Sequence, residues 1–395
     1  MIASDSFDIQ VTKVRNKLLH VCLERRIPFV SYQLPEKSEL STLVQYTVAP
    51  RKLKSSVEIT GATGFVVAPF EGSGAFPITL LEPDFIHTGN SPVDQIIETL
   101  QKCSLFLGTK SESHPMHEAS SSEFTRQVEA IKAKIKEGVI IKAVLSRVKI
   151  ETEVSSIDTI ELFNTLCQAY PHAFVYILQM PDVGCWIGAS PEPLLLVSDE
   201  RAKTTSIAGT QVLGNRMVSD VKWNAKERDE QAIVTSYIEN VISSFGITNV
   251  EKIGPYSYQA ANLVHLKTQF EFDASTIKPL LGKFIVALQP TPSVCGLPKA
   301  NAVDVVLSVE KHEREYYSGF LGPINIEDNT AFFVNLRCLK VVPEGFAFFV
   351  GAGITEGSIP GREWEETSHK MMTLLSVVNS VNTSSKAYVF SKTRN

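Results

Sequence analysis

The feature that most restricts the fold of this chain is a crowd of strand-like segments in its second part that do not alternate with helices. Runs rich in β-branched and aromatic residues fall at about 139–151, 173–179, 185–190, 194–197, 262–272, 316–325, 331–342 and 346–350. Helical periodicity intervenes only around 157–169, 221–244, 276–287, 298–310 and 362–378. A parallel doubly wound sheet needs a crossover helix between successive strands, and that pattern is missing, as is any internal repeat. The order predicts an α+β fold with a mixed or antiparallel core. With 395 residues the chain can fill one large core or two.

Residues 8–106 read as a smaller α/β region, with a helix over 11–24 and strands over 41–48 and 64–68. The polar segment 108–122 is the best linker candidate, and 123–137 has the period of an amphipathic helix. A net charge of −5 lacks the basic face that broad nucleic-acid binding needs. No apolar run reaches the length of a membrane span, and the first residues lack a basic-then-apolar signal. The six cysteines are scattered, without a C-x-x-C pair, and read as reduced core thiols of a cytoplasmic protein rather than zinc ligands.

Two helical stretches carry carboxylates at a spacing that does chemistry. In the run 363–370, Glu363, Glu366 and Lys370 share one helix face beside the glycine-rich 351–354. In 219–231, Ser219 or Asp220 can cap a helix on which Glu227 and Glu230 again lie three apart. Taken singly, each pair is more often solvated surface. Two such pairs together suit Mg²⁺, which takes a few carboxylates, keeps waters and binds substrate oxygens. Strand alternation puts Lys142 on one face with Val144, Ser146 and Val148, either at a sheet edge or buried as a potential base. Glu192 projects from a turn, which alone is a weak signal. Arg337 sits in an apolar segment read as strand and is expected to meet a buried anion. His265, among Leu263, Val264 and Leu266, reads first as a core histidine.

These pieces together resemble the chorismate-utilising enzymes over roughly residues 125–380. The resemblance rests on K-A-V-L-S-R (142–147), G-A-S-P-E (188–192), S-I-A-G-T (206–210), N-L-V-H-L (262–266), P-T-P-S-V-C-G-L-P (290–298), E-R-E-Y-Y-S-G (313–319), L-R-C (336–338), G-A-G-I (351–354) and E-W-E-E-T-S-H-K (363–370), all in order. Within that family the isochorismate synthases fit best. Lys142 stands where water-using members carry a lysine and ammonia-using members a glutamine. Ala208 stands where aminodeoxychorismate synthases carry a lysine nucleophile, and no glutamine-amidotransferase portion is evident.

The resemblance implies a large fold of two antiparallel sheets packed face to face with helices outside. Residues 1–120 would be a variable part contributing to the core of a single domain, and 121–385 the catalytic region. It implies chorismate as substrate and Mg²⁺ as cofactor, held by Glu230 and Glu366 with Glu227 and Glu363 nearby. Gly209, Thr210 and Lys370 would hold the ring-carboxylate end. Arg337, with Tyr316 or Tyr317 and the 351–353 loop (Gly351, Gly353), would bind the enolpyruvyl carboxylate, and His265 would join the substrate-binding set. Lys142 would deprotonate a water attacking C2, while a protonated Glu192 would donate to the hydroxyl leaving C4.

Gln231 and Gln289 stand where the family usually has histidines, and Pro193 is also less usual. These are expected to change local hydrogen bonds only. A monomer is expected. Salicylate synthase, which goes on to eliminate pyruvate, shares the same motifs; Ser293 and Val294 lean towards synthase alone. A silent binding protein on this fold is the other alternative. Whether the product would feed menaquinone or a siderophore is not written in the chain.

Overall fold

The computed structural model describes residues 2–71, 75–89, 91–104, 106, 116–154, 157–260 and 263–392, with side chains described between 12 and 383. Two nine-stranded sheets dominate, and every pairing within them is antiparallel. Edge to edge, the first sheet runs Gly296–Leu297, Lys142–Glu151, Gly345–Ile354, Cys338–Val342, Gly184–Ser190, Phe174–Met180, Phe29–Gln33, Leu40–Val44 and Phe85–Thr88. The second runs Val250–Ala260, Leu263–Asp273, Arg201–Val212, Pro193–Ser198, Thr330–Val334, Phe320–Ile324, Gly64–Ala68, Ile78–Leu81 and Arg51–Leu53. The antiparallel α+β architecture expected from the sequence is therefore the one observed.

The sheets face each other across a shared aromatic core that includes Tyr32, Phe65, Phe174, Tyr176, Phe333 and Phe349. Phe174 of the first sheet and Phe333 of the second stack with centroids 4.3 Å apart, an offset of large apolar rings that pins the layers together. Helices cover the outer faces. Residues from Thr159–Ala169 and Pro360–Lys392 pack on the first sheet, and residues from Ala225–Ser244 and Leu281–Leu288 on the second. Helices Ser121–Lys136 and Lys299–Val309 close the end of the first sheet through Phe124, Val128, Ala302 and Val306 against Ala143 and Leu145. Among the described residues, no helix is long and apolar enough to cross a membrane.

Three sequence expectations need correction. The segment 331–342 is two strands, Thr330–Val334 in one sheet and Cys338–Val342 in the other, so the chain changes layer between them. Arg337 makes that change with φ +49, a left-handed conformation no strand residue adopts. The glycines Gly351 and Gly353 lie within the strand Gly345–Ile354, opposite Ser146 and Val144, and not in a loop. The helix over 221–244 begins at Ala225 and is capped by Asn224 instead of Ser219 or Asp220. The side chain of Asn224 accepts from the Glu227 amide while Glu227 accepts from the Asn224 amide, a reciprocal box that outcompetes the earlier polar residues. Strands Arg201–Val212 and Val250–Ala260 were not foreseen. Of the linker candidate, 108–115 lies outside the described residues, and Ser120 caps the helix Ser121–Lys136.

Candidate active site

One cavity gathers most of the residues singled out by the sequence. It is lined by Lys142, Glu192, Gly209, Thr210, Glu230, His265, Tyr317, Arg337, Gly351, Gly353, Glu366 and Lys370, with Ala208, Ser293 and Val294 beside them. These come from strands of both sheets, from the helices Ala225–Ser244 and Pro360–Lys392, and from the turns at 191–192, 289–295 and 335–337. Tyr316, Glu227 and Glu363 are not part of the lining. Tyr316 turns away, donating to the Pro77 carbonyl at 3.1 Å and meeting Phe76 and Trp186 edge-on. Of the two adjacent tyrosines, Tyr317 is the one that faces the cavity.

Lys142 begins the strand Lys142–Glu151 and is 2 % exposed, so it is buried and not a sheet-edge lysine open to water. Its Nζ lies 3.0 Å from Oε1 of Glu230. Burial pushes the Glu230 carboxyl up, but the neighbouring Lys142 ammonium, with Lys226 and Lys370, brings it below the ordinary range. The bare strand at Gly353 makes this pair possible. A Cβ there would lie 2.4 Å from Glu230 Oε1 and 3.1 Å from Lys142 Cε.

Glu192 has the opposite fate. Burial raises its carboxyl to about 7 against the lowering effects of the Ser293 hydrogen bond and of Lys142, Lys370 and Arg337. It is therefore a carboxylic acid able to hold a proton near neutrality. The cations facing it keep the shift from going further.

His265 is neutral. Burial, then Arg337 and Lys370, lower its imidazole to about 3. Its Nδ1 is 3.1 Å from both the Gly209 carbonyl and Thr210 Oγ1, while Nε2 has no hydrogen-bond partner among the described residues. If Nδ1–H serves the Gly209 carbonyl, Nε2 remains a hydrogen-bond acceptor in the cavity wall. Gly209 itself has φ +68, and a Cβ there would come within 2.9 Å of Glu227 Cβ, so only glycine lets the helix Ala225–Ser244 approach this strand.

Arg337 donates to Thr373 Oγ1 at 2.6 Å and to the Lys370 carbonyl at 3.3 Å. Among the described residues it forms no ion pair with a carboxylate, so no protein side chain there supplies the buried anion expected beside it. Burial lowers its guanidinium to about 10. A desolvated cation held by neutral oxygens is an anion receptor in waiting.

The carboxylates expected near a metal are each engaged. Glu366 pairs with Lys370 at 2.7 Å, and Lys370 also donates to the Gly351 carbonyl at 3.0 Å. Glu363 is buried against Lys226, with Nζ 3.0 Å from Oε1. Burial raises Glu363, with Lys226 pulling it down and Glu366 pushing it up. Against the lowering effect of burial, Glu363, Glu230 and Glu366 together raise the Lys226 ammonium. Lys226, which sequence reasoning overlooked, thus stands as a cation in the combined field of three carboxylates. Its signal was present as a lysine one turn before Glu230 on the same helix. Among the described residues, no group of three His, Cys, Asp or Glu side chains is spaced to hold a metal by itself. Gln231 donates to the Ser206 hydroxyl at 2.8 Å and Gln289 to the Ser318 carbonyl at 3.1 Å.

Comparison with known proteins places this geometry. The chain is 32 % identical over 246 residues to the isochorismate synthase EntC of Escherichia coli K12, covering 60 % of this chain and 62 % of that one. It thus spans about three fifths of the length of that relative. The solved structure described as a 2,3-dihydroxybenzoate-specific isochorismate synthase, DhbC of Bacillus anthracis, superposes with TM-score 0.71 at 20 % identity, covering 89 % of this chain and 96 % of that one. The menaquinone-specific isochorismate synthase MenF of Escherichia coli superposes with TM-score 0.70 at 18 % identity, covering 89 % and 88 %. The two structures share the fold. The family model of the chorismate binding enzymes matches residues 83–379, three quarters of the sequence and every segment that lines the cavity, and the chain belongs to that family.

Proposed function

We propose that this protein is an isochorismate synthase, moving the hydroxyl of chorismate from C4 to C2 by adding one water and expelling another. The observation that carries the reading is the pairing, in one cavity, of a buried lysine with a buried carboxyl whose proton is held to about pH 7. The relative named above as an isochorismate synthase supports it. Ala208 in the cavity wall supports water over a lysine nucleophile.

In this mechanism Lys142 acts in its neutral form and takes a proton from the water attacking C2. The Glu230 pair is then a resting arrangement that opens before chemistry. Glu192 gives its proton to the C4 hydroxyl, which departs as water while the ring double bonds shift. One proton enters through the acid and one leaves through the base, so the reaction is a net isomerisation. Each group contributes on the order of 10²–10⁴-fold. Arg337 and Lys370 hold the two carboxylates of the substrate and fix the ring between acid and base.

The donor set fits Mg²⁺. Glu230 and Glu366 line the cavity, two carboxylates are what this ion takes from a protein, and Lys226 already marks the region as favourable to a cation. Bound there, Mg²⁺ would orient and neutralise the ring carboxylate of the substrate. A cytoplasmic location is part of the same proposal, in keeping with six scattered cysteines of which none is in a disulfide.

The test is incubation of the purified chain with chorismate, with and without Mg²⁺, beside the Lys142→Ala variant, with chromatographic separation of products. Isochorismate formed by the wild type and reduced at least 10²-fold in the variant is the expected result. Salicylate with pyruvate would move the assignment to salicylate synthase. No turnover by a folded sample would sink the mechanism.

A further inference from the structure

The loop 289–295 places a pair of hydroxyls against the acid. Ser293 Oγ donates to Glu192 Oε1 at 2.7 Å, and Thr291 Oγ1 lies 2.5 Å from Ser293 Oγ. Because the Ser293 proton is spent on the carboxyl, Thr291 is the donor in the second bond. Glu192 is 5 % exposed, and Ser293 also lines the cavity. We propose that Ser293 is a positioning residue for the reaction above: it orients the Glu192 carboxyl, confines the acid proton to Oε2, and stabilises the carboxylate left when that proton departs. This rests on the assignment of Glu192 as the acid.

The physical argument is differential. A hydroxyl donated to a neutral acid is an ordinary hydrogen bond, whereas the same hydroxyl donated to a carboxylate is charge-assisted and about twice as strong. The bond therefore tightens as the proton moves to the leaving hydroxyl, which is when it lowers a barrier. Oε1 accepts from Ser293, so the transferable proton must reside on Oε2. Thr291 polarises Ser293 in the same direction. The other charged and titratable groups of the cavity are Lys142 on its strand, Glu230 on the helix Ala225–Ser244, Lys370 and Glu366 on the helix Pro360–Lys392, and Arg337, His265 and Tyr317. None of them donates a hydrogen bond to Glu192 among the described residues. Ser293 does so while bringing no charge, and can tune the acid without repelling or trapping the dianionic substrate.

The experiment is the pH dependence of kcat and KM on the full chain with chorismate and Mg²⁺, for wild type, Ser293→Ala, Ser293→Thr and Thr291→Val. For Ser293→Ala, the alkaline limb of the profile is expected to rise by about one pH unit and kcat at neutral pH to fall about tenfold, with KM near that of wild type. Ser293→Thr keeps the hydroxyl and is expected to restore the limb. Thr291→Val is expected to move it in the same direction by less. An unmoved limb in Ser293→Ala, with the wild type active, would overturn the proposal; so would a loss in KM alone. A wild type that does not turn over chorismate at any pH would remove the reaction itself and the positioning role with it. The two failures are thereby distinguished.

Discussion

At the residue scale, the cavity holds two buried ionisable groups in opposite electrostatic settings. Lys142 is ion-paired with Glu230, whereas Glu192 accepts from a hydroxyl and, among the described residues, forms no ion pair. The carboxyl of Glu192 is raised to about 7 from an ordinary value near 4.3 in the unfolded chain. Between those values the native state binds more protons than the unfolded one, so this group's contribution to stability falls as pH rises through the window. The Glu192→Gln variant, whose amide does not ionise, is expected to match wild type at pH 4 and exceed it by roughly 3 kcal/mol at pH 8. Denaturant melts at the two pH values check this, and equal stabilities at both would contradict a raised Glu192. The same variant is expected to lose turnover, a trade of activity for stability typical of strained sites.

At the element scale, the helix Ala225–Ser244 holds Lys226 and Glu230 in place, and its capping box fixes where it starts. Removing the Asn224 side chain is expected to cost about 1 kcal/mol and to fray the first turn, which carries Lys226 and leads into the turn of Glu230. The Asn224→Ala variant should show a lower Tm and, on the proposal that Glu230 helps hold Mg²⁺, a raised Mg²⁺ requirement; a lower Tm with an unchanged metal requirement would contradict the helix start's role in that proposed site. This element also shows what the sequence discloses. The i, i+3 spacing of Glu227 and Glu230 is plain in the chain, but their division of labour is not, because the cap that captures Glu227 depends on the path of residues 221–224. Likewise the run 331–342 reads as one strand, since β propensity is blind to a left-handed residue such as Arg337 that carries the chain from one sheet to the other. Lys142 and Arg337 were identifiable as cations in apolar segments and Lys370 by its helical spacing from Glu366, whereas Glu192, in a turn, carried only a weak signal of its own. The Ser293–Glu192 contact was not, being a meeting of two loops 101 residues apart.

At the scale of the whole molecule, the early part of the chain is woven into both sheets. Phe29–Gln33 pairs with Phe174–Met180, and Gly64–Ala68 pairs with Phe320–Ile324. The family match begins at residue 83, yet earlier residues, among them Val30, Tyr32, Phe65 and Val67, help form the core between the sheets. Removing residues 1–82 would bare two central strand edges and one side of the ring cluster around Phe174. Such a truncation is expected to aggregate, read by sedimentation and by loss of a cooperative thermal transition. A soluble, cooperatively melting fragment would show that the first strands are an accessory.

The ion pair between Lys226 and Glu363 joins positions 137 residues apart. On a ribosome adding roughly 5–20 residues each second, Lys142, Glu192 and Glu230 emerge many seconds before Glu363, Glu366 and Lys370. A nascent or prematurely terminated polypeptide carries the proposed base and acid without the helix Pro360–Lys392 that completes their cavity. On the proposed mechanism, catalytic competence waits until translation has passed Lys370, and products truncated before it would be inert.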